Sequence, residues 1–159
     1  MRAYLTLLGR STWATVNAYY AVLEHKGYYP DEVYIILEKI HLDKLKKTIE
    51  AINLISQSYG LHPVISYKVV KENDPLDVKA VFEEILENLK VKGAKIAIEI
   101  TSARKALAVP AVIYGIKYSV DHIFYLALRS LEHADRPYYM IPLQNQLLRD
   151  FREEFKWNS

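Results

Sequence analysis

Two short stretches of this chain bring hydroxyls, cations and a change of backbone direction together in a way that suits a phosphate. In Ile98-Glu-Ile-Thr-Ser-Ala-Arg-Lys105 an apolar run stops at Thr101 and Ser102 and continues into Arg104 and Lys105. Near the N-terminus, Tyr4-Leu-Thr-Leu-Leu8 runs into Gly9, Arg10, Ser11 and Thr12. Each stretch reads as a strand handing over to a helix, where side-chain hydroxyls and the free N–H groups of a helix start converge on one spot. Ser11 or Thr12 also fits the N-cap of the following helix, and capping is compatible with phosphate contact because a cap residue already faces the helix mouth. Arg104 and Lys105 run against the helix dipole, which disfavours cations in a first turn. A bound anion would relieve that misfit.

The elements that must position these residues alternate along the chain. Arg2 to Leu8 reads as a strand, followed by a helix carrying Val16, Tyr19, Tyr20 and Leu23 on one stripe and ending at Gly27. A second strand is expected at 31–38, a helix at 41–59, a third strand at 63–70 and a helix opened by Asp74 or Asp77. A fourth strand follows at 94–100. The helix from Arg104 to Ser119 is apolar nearly all round and contains Pro110 and Gly115, which should kink or tighten it. Burial on more than one side is expected of it, at a subunit interface as well as the sheet. A fifth strand is expected at 121–128, a sixth at 138–143 and a final helix at 144–155. This pattern predicts one α/β domain over residues 1–159, Rossmann-like, with a mostly parallel six-stranded sheet and helices on both faces. Ligands of such sheets sit beyond the carboxyl ends of the strands, where the strand order reverses. Arg129 and His133 follow the fifth strand on that side and admit either a pocket role or a plain loop role.

Bulk properties exclude several classes. The chain of 159 residues has no cysteine, so disulfides and thiolate chemistry are out, and its five histidines lack the spacing of a helical metal site. Neither a structural metal nor a cofactor is expected. A formal net charge of +2 is too small for a face that grips long nucleic acid, although local cations suffice for a compact anion. No apolar run approaches the ~20 residues that span a bilayer, and the apolar start before Arg10 is too short for a signal peptide. A cytoplasmic location without membrane contact is expected. No G-x-S-x-G elbow, Walker motif or G-x-G-x-x-G is present.

The order of elements, the Gly-Arg-Ser-Thr edge, the Ile-Thr-Ser-Ala-Arg-Lys edge and the closing Ile-Pro-Leu together resemble the CRISPR-associated Rossmann-fold (CARF) domain, over essentially the whole chain. Thr101-x-x-x-Lys105 is the most specific element, and Ala103 departs from the glycine that many relatives carry. The resemblance implies a homodimer with cyclic oligoadenylate, commonly the tetra-adenylate, bound on its two-fold axis. HEPN ribonuclease character is not implied, because Arg129 and His133 are separated by only three residues. A chain that is all sensor fold looks like the ring nucleases, which cut this messenger without metal through attack of a ribose 2'-OH on the neighbouring phosphorus. By motif match Ser11 positions the phosphate or 2'-OH and Lys105 stabilises charge, with Arg104 as rival cation. Gly9, Arg10, Thr12, Thr101, Ser102 and Arg129 complete the expected ligand contacts, and Arg149 or Lys156 could supply a further basic group. The alternative reading is a non-catalytic module that senses or sequesters the ring; a third is an unrelated Rossmann-like protein that binds a nucleotide or phosphorylated metabolite.

Overall fold

A computed structural model describes residues 1–156 of the chain. The strands are β1 (Arg2–Leu8), β2 (Glu32–Glu38), β3 (Val64–Val70), β4 (Lys95–Glu99), β5 (His122–Leu128) and β6 (Gln146–Asp150). The helices are α1 (Thr12–Lys26), α2 (Leu45–Ser58), α3 (Pro75–Val91), α4 (Lys105–Lys117) and the short α5 (Phe151–Glu154). One sheet holds all six strands in the order β3-β2-β1-β4-β5-β6, parallel except for β6. The α/β architecture expected from the alternating pattern is therefore the observed one.

Parity along the central strands decides which side chain goes where. Ala3, Leu5, Leu7, Ile96 and Ile98 point to one face, where Phe82, Leu86 and Leu89 of α3 and Leu107 and Ala111 of α4 pack on them. Tyr4, Leu8, Ile35, Leu37 and Ala97 point to the other, against Tyr19, Val22 and Leu23 of α1 and Ile52 of α2. Both faces are covered, so the strands read as continuous apolar runs. Ser11 caps α1 through a hydrogen bond from the Ala14 amide, and Asp74 caps α3 by accepting from Leu76 and Asp77. The helix α4 runs on through Pro110. Gly115 lets it close on the sheet, because a Cβ there would lie 3.2–3.3 Å from Ile98, Ile123 and Val120.

The C-terminal end corrects the sequence reading. Residues 138–143, expected as the sixth strand, form two 3-10 turns with their neighbours, at Tyr138–Met140 and Leu143–Asn145. Pro137 and Pro142 precede these turns, and Pro142 has no N–H to give a ladder. The strand comes next instead, at Gln146–Asp150, antiparallel to β5 with Leu126 opposite Leu148. Asp150 then caps α5, which begins only at Phe151 and ends at Glu154, so the long final helix expected at 144–155 is not formed.

Candidate functional site

The chain runs outward from β1 to β2 and β3 on one side and from β4 to β5 on the other, so the strand order reverses between β1 and β4. These two strands are parallel neighbours, with Thr6 opposite Glu99. Their carboxyl ends lie side by side at the switch point, where open α/β sheets hold ligands. Residues 9–12 and 101–105 are the two edges of that crevice.

The edges are laced together. The Gly9 amide donates to Ser102 Oγ over 3.0 Å, and Ser102 Oγ donates to the Ser11 carbonyl over 2.9 Å. A Cβ on Gly9 would stand 2.0 Å from the Ser102 carbonyl oxygen, so only glycine allows this approach. Beneath the second edge lies Glu99, fully buried. One of its oxygens accepts from Thr6 Oγ1 at 2.8 Å and the other from the Thr101 amide. Burial pushes the Glu99 carboxyl up to about 7, against the hydrogen bonds from Thr101 and Thr6, which pull it down. Thr101 Oγ1 is itself occupied, accepting from the Leu126 amide at 2.9 Å.

The cations divide into two kinds. Arg104 is committed: its Nε and Nη2 reach the two oxygens of the nearly buried Glu38 at 3.1 and 2.7 Å, and Nη2 also meets Glu72 at 3.3 Å. The charge of Arg104, at the N-cap of α4, is thus neutralised, and Lys105 is the cation of the first turn. Lys105 and Arg10 are exposed, and among the described residues neither has a hydrogen-bond or ion-pair partner. The helix α4 also starts without a side-chain cap, unlike α1 and α3. Its first amides join Lys105 as donors that an anion could use.

Two hollows open beside the edges. One, of about 380 Å³, lies between the start of α1, β5 and the loop after β5, with Arg10, Ser11, Thr101, Leu126, Leu131 and Asp135 on its walls. The other, of about 500 Å³, lies between α1 and α2 and is lined by Arg10, Thr12, Trp13, Lys44, Lys47 and Asp135, among others. Ser11 Oγ donates to Asp135 Oδ1 over 2.9 Å while accepting from the Ala14 amide at 3.1 Å. Arg129 stands at the same end of the sheet, its amide bonded to the Asn145 carbonyl, but its side chain lines neither hollow. His41, beside Arg10 and Lys44, is held below its ordinary value by burial and by Lys44.

The structure thus gathers Gly9, Arg10, Ser11, Thr12, Thr101, Ser102 and Arg104 around one crevice, and Lys105 begins α4 beside it, its side chain lining neither hollow. Sequence reasoning missed Asp135, Trp13, Lys44, Lys47 and Glu99. Glu99 carried a signal, an acid inside the apolar run Ile96 to Ile100; the others sit in stretches that read as solvated helix or loop. Among the described residues the one grouping with metal-ligand reach is His122, Asp150 and Glu153, at the opposite end of the sheet. Asp150 there is already engaged by His122 and two backbone amides.

No protein family matches the sequence, and no curated protein matches it. Solved structures do match. Csm6 from Enterococcus italicus, bound to cyclic hexa-2'-fluoro-hexa-dAMP, superposes with a TM-score of 0.63 at 18% identity, over 98% of this chain and 43% of that one. Can2 from Sulfobacillus thermosulfidooxidans, in complex with cyclic tetra-adenylate, gives 0.59 at 16% identity, over 79% of this chain and 32% of that one. A type III CRISPR defence DNA nuclease activated by cyclic oligoadenylate gives 0.56 at 16% identity, over 79% and 18%. The chain spans less than half the length of each. At these identities the likeness shows the fold alone, a Rossmann-like α/β domain.

Proposed function

We propose that this chain is a CARF domain that binds cyclic oligoadenylate, best represented by the tetra-adenylate, and cleaves it as a ring nuclease. The observation that carries the reading is the switch-point crevice between β1 and β4, with Ser11 on one edge and the uncapped start of α4 and the unpaired Lys105 on the other. The fold likeness to proteins seen with cyclic tetra-adenylate and a cyclic hexa-adenylate analogue supports it.

In this reading the ring lies over the crevice of a homodimer. A stripe at spacing four on α4, formed by Lys105, Val109, Ile113 and Lys117, supports the dimer, because Val109 and Ile113 are 53% and 57% exposed. Parallel pairing of two copies along that stripe would bring both Lys105 side chains to one anionic ring. The 2'-oxygen of one ribose forms a bond to the adjacent phosphorus as the bond from phosphorus to the 5'-oxygen breaks. The 2'-OH proton is lost, the 5'-oxygen gains one, and the products are a 2',3'-cyclic phosphate and a 5'-OH. Ser11 and the edge amides would align the phosphate, and Lys105 would stabilise the charge growing on its oxygens.

Incubation of the purified protein with cyclic tetra-adenylate and excess EDTA, followed by product chromatography, tests this. Linear products ending in cyclic phosphate support the ring nuclease. Tight binding without turnover supports a sensor, the second reading, which is favoured by one observation: the Ser11 hydroxyl hydrogen is already taken by Asp135.

A further inference from the structure

We propose that Asp135 is an anionic gate on the phosphate seat: its carboxylate holds the Ser11 hydroxyl in the free protein, and an anionic ligand must displace it. The inference rests on the reading of the crevice as a cyclic oligoadenylate site and adds a residue that neither motif edge contains.

A serine hydroxyl has one hydrogen to give. In Ser11 that hydrogen goes to Asp135 Oδ1 over 2.9 Å, while the oxygen accepts from the Ala14 amide in the cap of α1. A phosphate oxygen seated at this helix mouth can accept from Ser11 only after the carboxylate lets go. Asp135 also lies on the walls of both hollows, as does Arg10. Ligand and carboxylate therefore compete for the same hydroxyl, and a carboxylate left in place would repel the incoming charge.

The local anchoring makes the release inexpensive. Arg136, the next residue, is fixed through its carbonyl, which accepts from Asn17 Nδ2 at 2.8 Å. The loop is tied at its start by the Arg129 amide. Between these points Leu131 is 80% exposed, and Asp135 itself is exposed with Ser11 as its one hydrogen-bond partner among the described residues. The carboxylate can leave by rotation of its own side chain without unpinning the backbone. The structure holds the seat in its closed state, and the apparent affinity is the intrinsic one scaled down to the fraction in which the seat is open.

The test compares binding of a 2'-deoxy cyclic tetra-adenylate, which lacks the attacking hydroxyl, to the full chain and to Asp135→Asn and Asp135→Ala, by calorimetry. Both variants are expected to bind about tenfold tighter than the parent protein, with Asp135→Ala at least equal to Asp135→Asn. Affinity unchanged or weakened in both variants overturns the gate while leaving the crevice reading intact. Absence of binding by all three proteins removes that reading and the gate with it.

Discussion

Thr6 and Glu99 stand opposite each other on neighbouring parallel strands, and the Thr6 hydroxyl donates to the Glu99 carboxylate over 2.8 Å. No cation is among the groups that set the Glu99 carboxyl, and Tyr4 is the titratable neighbour that feels its charge, its own phenol raised chiefly by burial. Burial raises Glu99 to about 7 in the folded chain, above its ordinary value of 4.5. Between those values the native state holds more protons than the unfolded one, so this contribution is complete below pH ~4.5 and is lost as pH rises through ~7. Glu99→Gln should flatten that decline, which amounts to no more than about 3 kcal/mol. Thermal unfolding of both proteins across this range checks it, and parallel slopes would reject it.

Gly9→Ala forces a Cβ to within 2.0 Å of a backbone oxygen at Ser102, so one edge must move. A loss of about 1–3 kcal/mol is expected, on the scale of overpacking. If that edge is the phosphate seat, as proposed, ligand affinity should fall with it. Denaturant titration and calorimetry together measure the two effects.

Lys105 and Arg104 are adjacent but should respond oppositely. Lys105→Ala removes a cation without a described partner, so the unfolding midpoint should stay and turnover of cyclic tetra-adenylate should drop roughly tenfold or more. Arg104→Ala strands Glu38, whose side chain is 4% exposed, and should lower the unfolding midpoint. A thermal scan paired with a turnover assay separates them.

Asp150→Ala strips the acceptor from His122 Nδ1, the Ile123 amide and the Arg152 amide, at 2.7, 3.2 and 3.0 Å. The side chain is fully buried and caps α5, so a loss of about 2–4 kcal/mol is expected. Its place at the far end of β5 from the crevice predicts unchanged affinity in whatever fraction stays folded, readable by calorimetry below the unfolding transition.

Most of the sheet was legible because its central strands are apolar on both faces and separated by amphipathic stripes. Capping chemistry narrowed the helix starts to Ser11 or Thr12 and to Asp74 or Asp77, of which Ser11 and Asp74 hold those places, and Gly27 ends the first helix as expected. The region after β5 was misread because Tyr138 to Leu143 is as apolar as a strand. What decides there is the pair of prolines and the antiparallel match of Leu148 with Leu126, a contact made across the sheet and invisible to local pattern. At the site, both edges could be read from residue type, whereas the partners of those residues could not. Glu38 reaches Arg104 from the end of β2 and Asp135 reaches Ser11 from the loop after β5, separations of 66 and 124 residues.

Ser102 fastens the two edges through bonds to both Gly9 and Ser11, which makes that half of the crevice a single rigid plate. A plate formed before the guest arrives loses little disorder on docking. Under the proposed function, adaptation to rings of different girth then falls to the opposite wall, the segment at 129–137, and that wall is where selectivity should evolve most readily.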